Sequence, residues 1–320
     1  HDADDEPYNY WDYRLALHLP QAARFLRVLI DFRRRYNRLK QRTLVVGQAA
    51  AIRTDPSLNR LYHQPAADFV AEHRLTRFAD RYIEPGIHGT TFTDLSEITA
   101  FTLLLGALPA LVPAYEFTPR LDRLIVGFED KIVPDSVIAI DAQSDGHLVM
   151  TKAHGELVAK QVVLATPTDV SRKLLGLPST KRPIEAHMFQ VEGTLRHPYD
   201  RADISLFPAA DPTLAIARQE SGAILLCSRL RNPDFGRYLA SWRVVSHLHW
   251  NPAFHIVGDA LLECEQGPNL YLAGDHNIVG LEDAYLTGVY AADQVISASR
   301  YREDRRQRSL APRPVAMPAR

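Results

Sequence analysis

The chain has 320 residues, 46% of them hydrophobic and 23% charged, with a formal net charge of -1 and two cysteines. That length supports a full core and two domains, and that composition excludes a disordered chain. Near-neutral charge argues against bulk attraction to nucleic acid, while Cys227 and Cys264 form neither a disulfide framework nor a metal-ligand set, so a reducing, cytoplasmic setting and no metal are expected.

The opening His1-Asp-Ala-Asp-Asp-Glu6 is acidic where a signal peptide would be basic and then apolar, and no run approaches the length of a membrane span. A chain beginning on histidine is expected to have its natural start elsewhere. From Tyr8 to Arg42 the pattern is helical, with Phe25, Leu29, Phe32, Tyr36 and Leu39 as an apolar stripe and Pro20 at a break or a first-turn position. Arg33, Arg34, Arg35, Arg38, Lys40 and Arg42 place positive charge near that helix's C-terminus, which suits its dipole. The patch reads as a solvated face, with peripheral membrane contact or an acidic partner as the lesser reading. Leu44-Val-Val-Gly47 has no second glycine at dinucleotide-loop spacing.

Residues 55 to 112 read as a helical module. Glu84-Pro-Gly86-Ile-His-Gly89 reads as loop, and Asp94-Leu-Ser-Glu97 as a capping box opening a helix from Leu95 to about Ala107. His63, His73 and His88 are scattered without ligand spacing. Thr118-Pro119 reads as an N-cap and first-turn proline for a helix through Leu121, Leu124, Ile125 and Phe128.

Ser136 to Asp141, His147 to Thr151 and Gln161 to Pro167 are β-rich runs joined by glycine-containing turns, and so an antiparallel meander. The last run is uniformly apolar, as a strand buried on both faces should be. Between 183 and 250, His187 to Leu195, Ile204 to Phe207, Leu214 to Arg218 and Ala223 to Arg229 alternate with proline-bearing loops. Val244 to His255 follows, with His247, His249, Trp250, Phe254 and His255. Near the end, Leu270 to Ala273 is a short apolar strand stopped by Gly274, with a carboxylate at once on Asp275. After Gly280 a helix begins, with Leu281, Ala284, Tyr285, Gly288, Ala291, Ala292 and Val295 as its expected buried face. The free N–H groups and dipole of such a helix start favour an electron-rich ring or an anion in front of it.

Leu272-Ala-Gly-Asp275 with Gly280-Leu-Glu282-x-Ala284-x-x-x-Gly288, together with Val162-Val163-Leu-Ala165-Thr-Pro167, resembles the flavin-containing amine oxidase superfamily, which includes protoporphyrinogen oxidases and phytoene desaturases. The resemblance implies a mixed α/β (α+β) fold: the C-terminal part of a GR2-type, Rossmann-like FAD-binding domain plus a substrate domain of antiparallel sheet and helices. Its segments would be 1–114, mainly helical; 115–182, FAD domain with meander; 183–250, substrate sheet; 251–298, FAD domain again; and 299–320, a disordered basic tail. The implied activity is an FAD-dependent oxidoreductase, amine oxidase-like or desaturase-like, in which an organic substrate gives a hydride to the flavin.

By the same resemblance the backbone of Val137 would pair with the adenine, and Thr166 and Pro167 would close the strand that rejoins the parallel sheet. Gly274 and Asp275 would bind ribityl or pyrophosphate, and Gly280, Leu281, Glu282 and Ala284 would form the helix start facing the flavin. His276 is the catalytic candidate, and Trp250, Phe254 and Tyr285 are candidates for the substrate cavity. Amine oxidases of the family often set an aromatic residue where Val279 and Gly280 stand here, which points to a small apolar substrate. The family also opens with Gly-x-Gly-x-x-Gly, which lets backbone approach the pyrophosphate, and no such fingerprint occurs in the 320 residues. A second chain, or a removed N-terminal segment, is therefore expected to carry that unit, in a heteromer; the alternative is a non-catalytic binding or structural subunit that has lost its flavin.

Overall fold

The computed structural model describes residues 8, 13–111, 120–178, 184–255, 257–258 and 260–310. A helical module comes first. After a 3-10 turn at Tyr13–His18, α1 runs Leu19–Val46 with Pro20 in its first turn, where a missing N–H costs nothing. Its buried residues are the expected Phe25, Leu29, Phe32, Tyr36 and Leu39, joined by Thr43. Around that stripe fold α2 (Gln48–Arg53), α3 (Pro56–His63), α4 (Ala66–Glu72), α5 (Thr76–Tyr82), α6 (Glu84–Thr91) and α7 (Ala100–Ala107). Phe32 meets Phe101 edge-on at 5.1 Å, and Tyr62, Phe69 and Leu104 complete the core. Ile278, from the glycine-rich stretch near the chain end, is buried in this same core.

Two helix boundaries differ from the sequence reading. The capping box is formed, since the Glu97 carboxylate accepts from Asp94 N at 2.9 Å, but it closes a turn. The helix itself starts at Ala100, where Thr99 supplies the N-cap. Residues 84 to 89 are helical, not loop: Pro85 falls in the first turn, and Gly89 lets α6 press on a sheet, since a Cβ there would lie 2.5 Å from Leu206 Cδ2. Thr118 and Pro119 lie outside the described residues. Of the helix expected after them only Leu121–Leu124 (α8) is α-helical, and Ile125 and Phe128 stand in exposed turns.

The meander is β1 (Val137–Gln143), β2 (Gly146–Thr151) and β3 (Gly155–Ala159), all antiparallel. Its third strand falls between the expected β-runs at 147–151 and 161–167. The apolar run beyond it, β4 (Val162–Leu164), leaves the meander and continues through Thr166-Pro167 into α9 (Thr168–Leu174), which packs against β1. The substrate-domain sheet follows as β5 (Ile184–Leu195), β6 (Ile204–Leu206), β7 (Thr213–Arg218) and β8 (Ile224–Ser228), then α10 (Phe235–Tyr238) and β9 (Leu239–Phe254). Its order is β6-β7-β8-β5-β9, antiparallel throughout, over a core of Phe189, Val191, Phe207, Leu226 and Tyr238.

The chain then forms β10 (Glu265–Gly267), β11 (Leu270–Leu272) and α11 (Leu281–Leu310). β11 pairs antiparallel with β10 and parallel with β4, so two stretches over a hundred residues apart end side by side. β4 is the outer strand of this sheet among the described residues, and Val163 is 43% exposed, so it is not buried on both faces. Helix α11 continues through 299–310, the start of the stretch read as a disordered tail; residues 311–320 lie outside the described residues. Among the described residues no helix is long and apolar enough to cross a membrane.

Candidate functional site

The parallel pair β4–β11 makes the site. In register, Leu164 stands beside Leu272, so the turns that follow, 165–167 and 273–275, leave the sheet at one end. Parallel strands that end together present their C-terminal ends as one crevice, the usual ligand position in such sheets. Gly274 sits there at φ 131°, where a side chain would be strained. Its N–H donates to Thr287 Oγ1 at 2.9 Å and its carbonyl accepts from the same hydroxyl at 2.7 Å, so the turn is clamped to α11. Asp275 is half-buried and has no hydrogen bond or ion pair among the described residues. A carboxylate at a strand end with no internal partner is free to accept hydrogen bonds from a ligand.

His276 is 7% exposed. Its Nδ1 lies 3.3 Å from Thr168 Oγ1 and its Nε2 3.2 Å from the Ala273 carbonyl, so both ring nitrogens are engaged by the chain. Burial holds its pKa below the ordinary histidine value, which favours the neutral ring. The ring thereby ties the start of α9 to the end of β11. Asn277 closes the loop from the other side: its Nδ2 donates to Leu262 O and its Oδ1 accepts from Leu262 N, each at 2.8 Å.

The first turn of α11 differs from the expected packing. Leu281 and Tyr285 are 77% and 69% exposed, and Asp283 and Leu286 are buried instead, while Ala291 is buried as expected. The cause is Asp283, which turns inward to accept from Tyr36 Oη at 2.5 Å and from Gln48 Nε2 at 3.0 Å. Burial raises its pKa to about 6, and the same burial beside Asp283 raises that of the Tyr36 phenol. Glu282 meets Lys40 at 3.0 Å, a second tie to α1. Ala284 N donates to the Gly280 carbonyl at 2.9 Å, which opens the helix at Gly280. Sequence reasoning missed Asp283, Thr287, Tyr36 and Gln48. The one available signal was a carboxylate in a helix's first turn, where the dipole favours it.

Two cavities adjoin the crevice. The smaller, about 20 Å³, is water-sized and is lined by Gln48, Cys264, Gly274, Asn277, Thr287 and Tyr290. Gln48 Oε1 is buried without a partner there, and burial pushes the Cys264 thiol up to about 11, so it is an inert thiol. The larger, about 100 Å³, lies between α6, α7 and the glycine-rich loop, lined by Thr91, Thr93, Ile98, Thr102, Leu105, Gly106, His255, Val257 and Val279. Its threonine hydroxyls are already engaged: Thr91 with Ile87 O and Thr93 Oγ1, and Thr102 with Thr99 Oγ1. Among the described lining residues the remaining polar side chain is His255, whose Nε2 is 4.0 Å from Asp169.

The histidine-rich segment before the motif is therefore divided. His255 reaches the cavity, whereas His247 stacks on Phe189 at 4.4 Å and His249 on His187 at 4.5 Å, both within the sheet. Trp250 is partly exposed, 5.9 Å from Phe92, and the side chain of Phe254 lies outside the described residues. Neither Trp250 nor Tyr285 lines the cavity. Val137 begins β1, 38% exposed, beside a register shift; Thr166 bonds Ser171 Oγ at 2.7 Å, and Pro167 is the N-cap of α9. No group of three or more His, Cys, Asp or Glu side chains among the described residues is arranged to hold a metal ion.

No family model matches the chain, and no curated protein matches it. Solved structures do. The chain resembles a putative protoporphyrinogen oxidase from Exiguobacterium sp. 255-15, with a TM-score of 0.50 over 74% of this chain and 67% of that one, at 14% identity. It resembles a putrescine oxidase double mutant, from a redesign of cofactor binding, with a TM-score of 0.57 over 93% of this chain and 78% of that one, at 12% identity. The wild-type putrescine oxidase bound to putrescine gives 0.55 over 94% and 78%, at 12% identity. The fold is the mixed helix-and-sheet architecture of these oxidases.

Proposed function

We propose that this chain is the larger part of an FAD-dependent oxidoreductase of the amine oxidase and desaturase type, and that a βαβ unit bearing the missing glycine fingerprint completes it. The observation that carries the reading is the parallel β4–β11 pair, which ends at an uncommitted carboxylate, Asp275, and opens toward a helix start. Bound at that crevice, FAD would supply the acceptor for a hydride from the substrate. Asp275 and the Gly274 turn would hold its polyol middle, and the free N–H groups at Leu281 and Glu282 would face its electron-rich end. The exposed rim residues Leu281 and Val163 fit a crevice that another body covers.

The outer edge of β4 supports the second half of the proposal. Parallel sheets occur with both faces and most edges covered, yet here three strands of three residues stand with an open parallel edge. On that strand Val163 is 43% exposed. One more parallel strand, followed by its crossover helix, would pair that edge and bury the Val163 side chain.

For the substrate, the 100 Å³ cavity offers aliphatic walls, hydroxyls already spent on their own helices, and one imidazole, His255. Among the described residues its lining includes no carboxylate to neutralise an ammonium group. A small, neutral, largely apolar molecule with at most one polar group fits that lining. His276, with both nitrogens engaged, holds the two strand ends in place, and His255 is the residue positioned to meet substrate.

The test is flavin retention. The assembly isolated under native conditions through this chain is expected to show flavin absorbance, and Asp275→Ala is expected to lose most of it while the assembly stays intact. A colourless wild-type assembly would make the chain a non-catalytic subunit instead.

A further inference from the structure

Helix α1 carries two exposed rows of side chains, the first reaching at Arg38 and Arg42 the rim of a pocket shared with Ala51, Asp55 and Leu58. Arg27, Arg34, Arg38 and Arg42 recur at intervals of seven, four and four, so at about 3.6 residues per turn they stand along one side. All four are exposed, and none has a hydrogen bond or ion pair among the described residues. The helix's other cations differ: Arg24 donates to the His73 carbonyl, Arg35 pairs with Asp31 and Asp55, and Lys40 pairs with Glu282.

About a quarter turn away run Leu19, Leu26 and Ile30, at intervals of seven and four and 57%, 44% and 37% exposed. Leu17 and Tyr13, 78% and 79% exposed, add apolar surface in the preceding 3-10 turn. The opposite face of α1 is the buried stripe, so both rows are available without disturbing the core.

We propose that α1 docks this protein in the plane of an anionic lipid surface. A row of uncompensated guanidiniums alone would suit any polyanion. The apolar row beside it decides the partner, because a nucleic acid or an acidic protein strand would neutralise the arginines and leave the leucines in water. A bilayer takes both: guanidiniums meet lipid phosphates at headgroup level, and Leu19, Leu26 and Ile30 enter the acyl boundary. The helix lies on the membrane; it does not cross it. This inference stands apart from the flavin reading, since neither row touches the crevice.

The test uses the purified full chain in a flotation assay, with vesicles of phosphatidylcholine alone or mixed with phosphatidylglycerol. Binding is expected only to the mixed vesicles and to weaken with salt. Arg34→Gln with Arg38→Gln should weaken it roughly thirtyfold, near fivefold per charge. Leu26→Ser with Ile30→Ser should weaken it with every charge in place, and far-UV circular dichroism checks that each variant is folded. Should that pair melt early, Leu19→Ser in the first turn replaces it. No flotation with the mixed vesicles overturns the proposal. So does flotation that the serine variants leave unchanged while heparin competes it away, which would make α1 a general polyanion site.

Discussion

Asp283→Asn tests whether helix α11 is pinned to the helical module by a buried carboxylate. Asp283 is 3% exposed, accepts from Tyr36 and Gln48, and has its pKa raised by burial from 3.8 to about 6. A folded pKa above the unfolded one means that the folded state holds the proton more tightly. The penalty is therefore absent below about pH 4, grows through the window from about 4 to 6, and is complete above it. A difference of about two units at about 1.4 kcal/mol each gives a cost on the order of 3 kcal/mol at neutral pH. Roughly half of that develops between about pH 5 and pH 7.5.

Asparagine keeps the shape and removes the titration. Tyr36 can still donate to its oxygen, and Gln48, whose Oε1 lacks a partner, can turn its amide to accept from the new N–H. The assay is urea unfolding of both proteins at about pH 5 and pH 7.5, read as the difference between them, so that Asp80 and Glu84, also raised by burial, cancel. The asparagine variant should gain on the wild type by roughly 1 to 2 kcal/mol across that interval. Parallel pH profiles would refute the buried-carboxylate argument.

Gly89→Ala should destabilise by roughly 1 to 3 kcal/mol through overpacking, since its Cβ would meet Leu206 Cδ2 at 2.5 Å and the Leu214 carbonyl at 3.2 Å; thermal melting reads it. Thr287→Val strips the clamp from Gly274 and should cost about 1 to 3 kcal/mol, with faster amide exchange at Gly274 itself; unchanged exchange there would count against the clamp. Phe101→Ala, at the centre of the helical core, should cost about 3 to 5 kcal/mol in denaturant unfolding. Tyr285→Ser should leave the isolated chain within about 0.5 kcal/mol of wild type, because its ring is 69% exposed; a large loss would mean that the ring packs against this chain.

The sequence showed some of this architecture plainly and concealed the rest for physical reasons. The α1 stripe was legible because five apolar residues keep the helical period over four turns and nothing polar competes. The sheet strands β5 to β8 were legible for the same reason at a period of two. Where one residue type serves two purposes the reading failed. Glycines at 86 and 89 signal a loop locally, but Gly89 is demanded by the approach of a sheet distant in sequence. The face of α11 was misjudged because Asp283 is polar and buried, while Leu281 and Tyr285 are apolar and exposed. Only the partners Tyr36 and Gln48, more than two hundred residues away, make the first of these possible. The crevice was legible as a glycine-acid motif, whereas the cavity behind it, built from Thr91, Leu105 and His255 on three separate elements, has no linear signature.

The ties around the glycine-rich loop all point inward. Ile278 is sunk in the helical core, Asp283 and Glu282 bind α1 and α2, Thr287 holds Gly274, and His276 holds the start of α9. A loop that merely joined a strand to a helix would not need five independent restraints, since each orders residues at an entropic cost of about 1 to 2 kcal/mol per backbone position. Restraint of that kind suits a turn that must keep its shape while a ligand binds and leaves. The groups the restraints leave unengaged, the Asp275 carboxylate, the Leu281 side chain and the outer edge of β4, all lie at the crevice or beside it. Among the described residues the turn is closely restrained and the Asp275 carboxylate and the β4 edge are left unengaged, as the proposed second body would require.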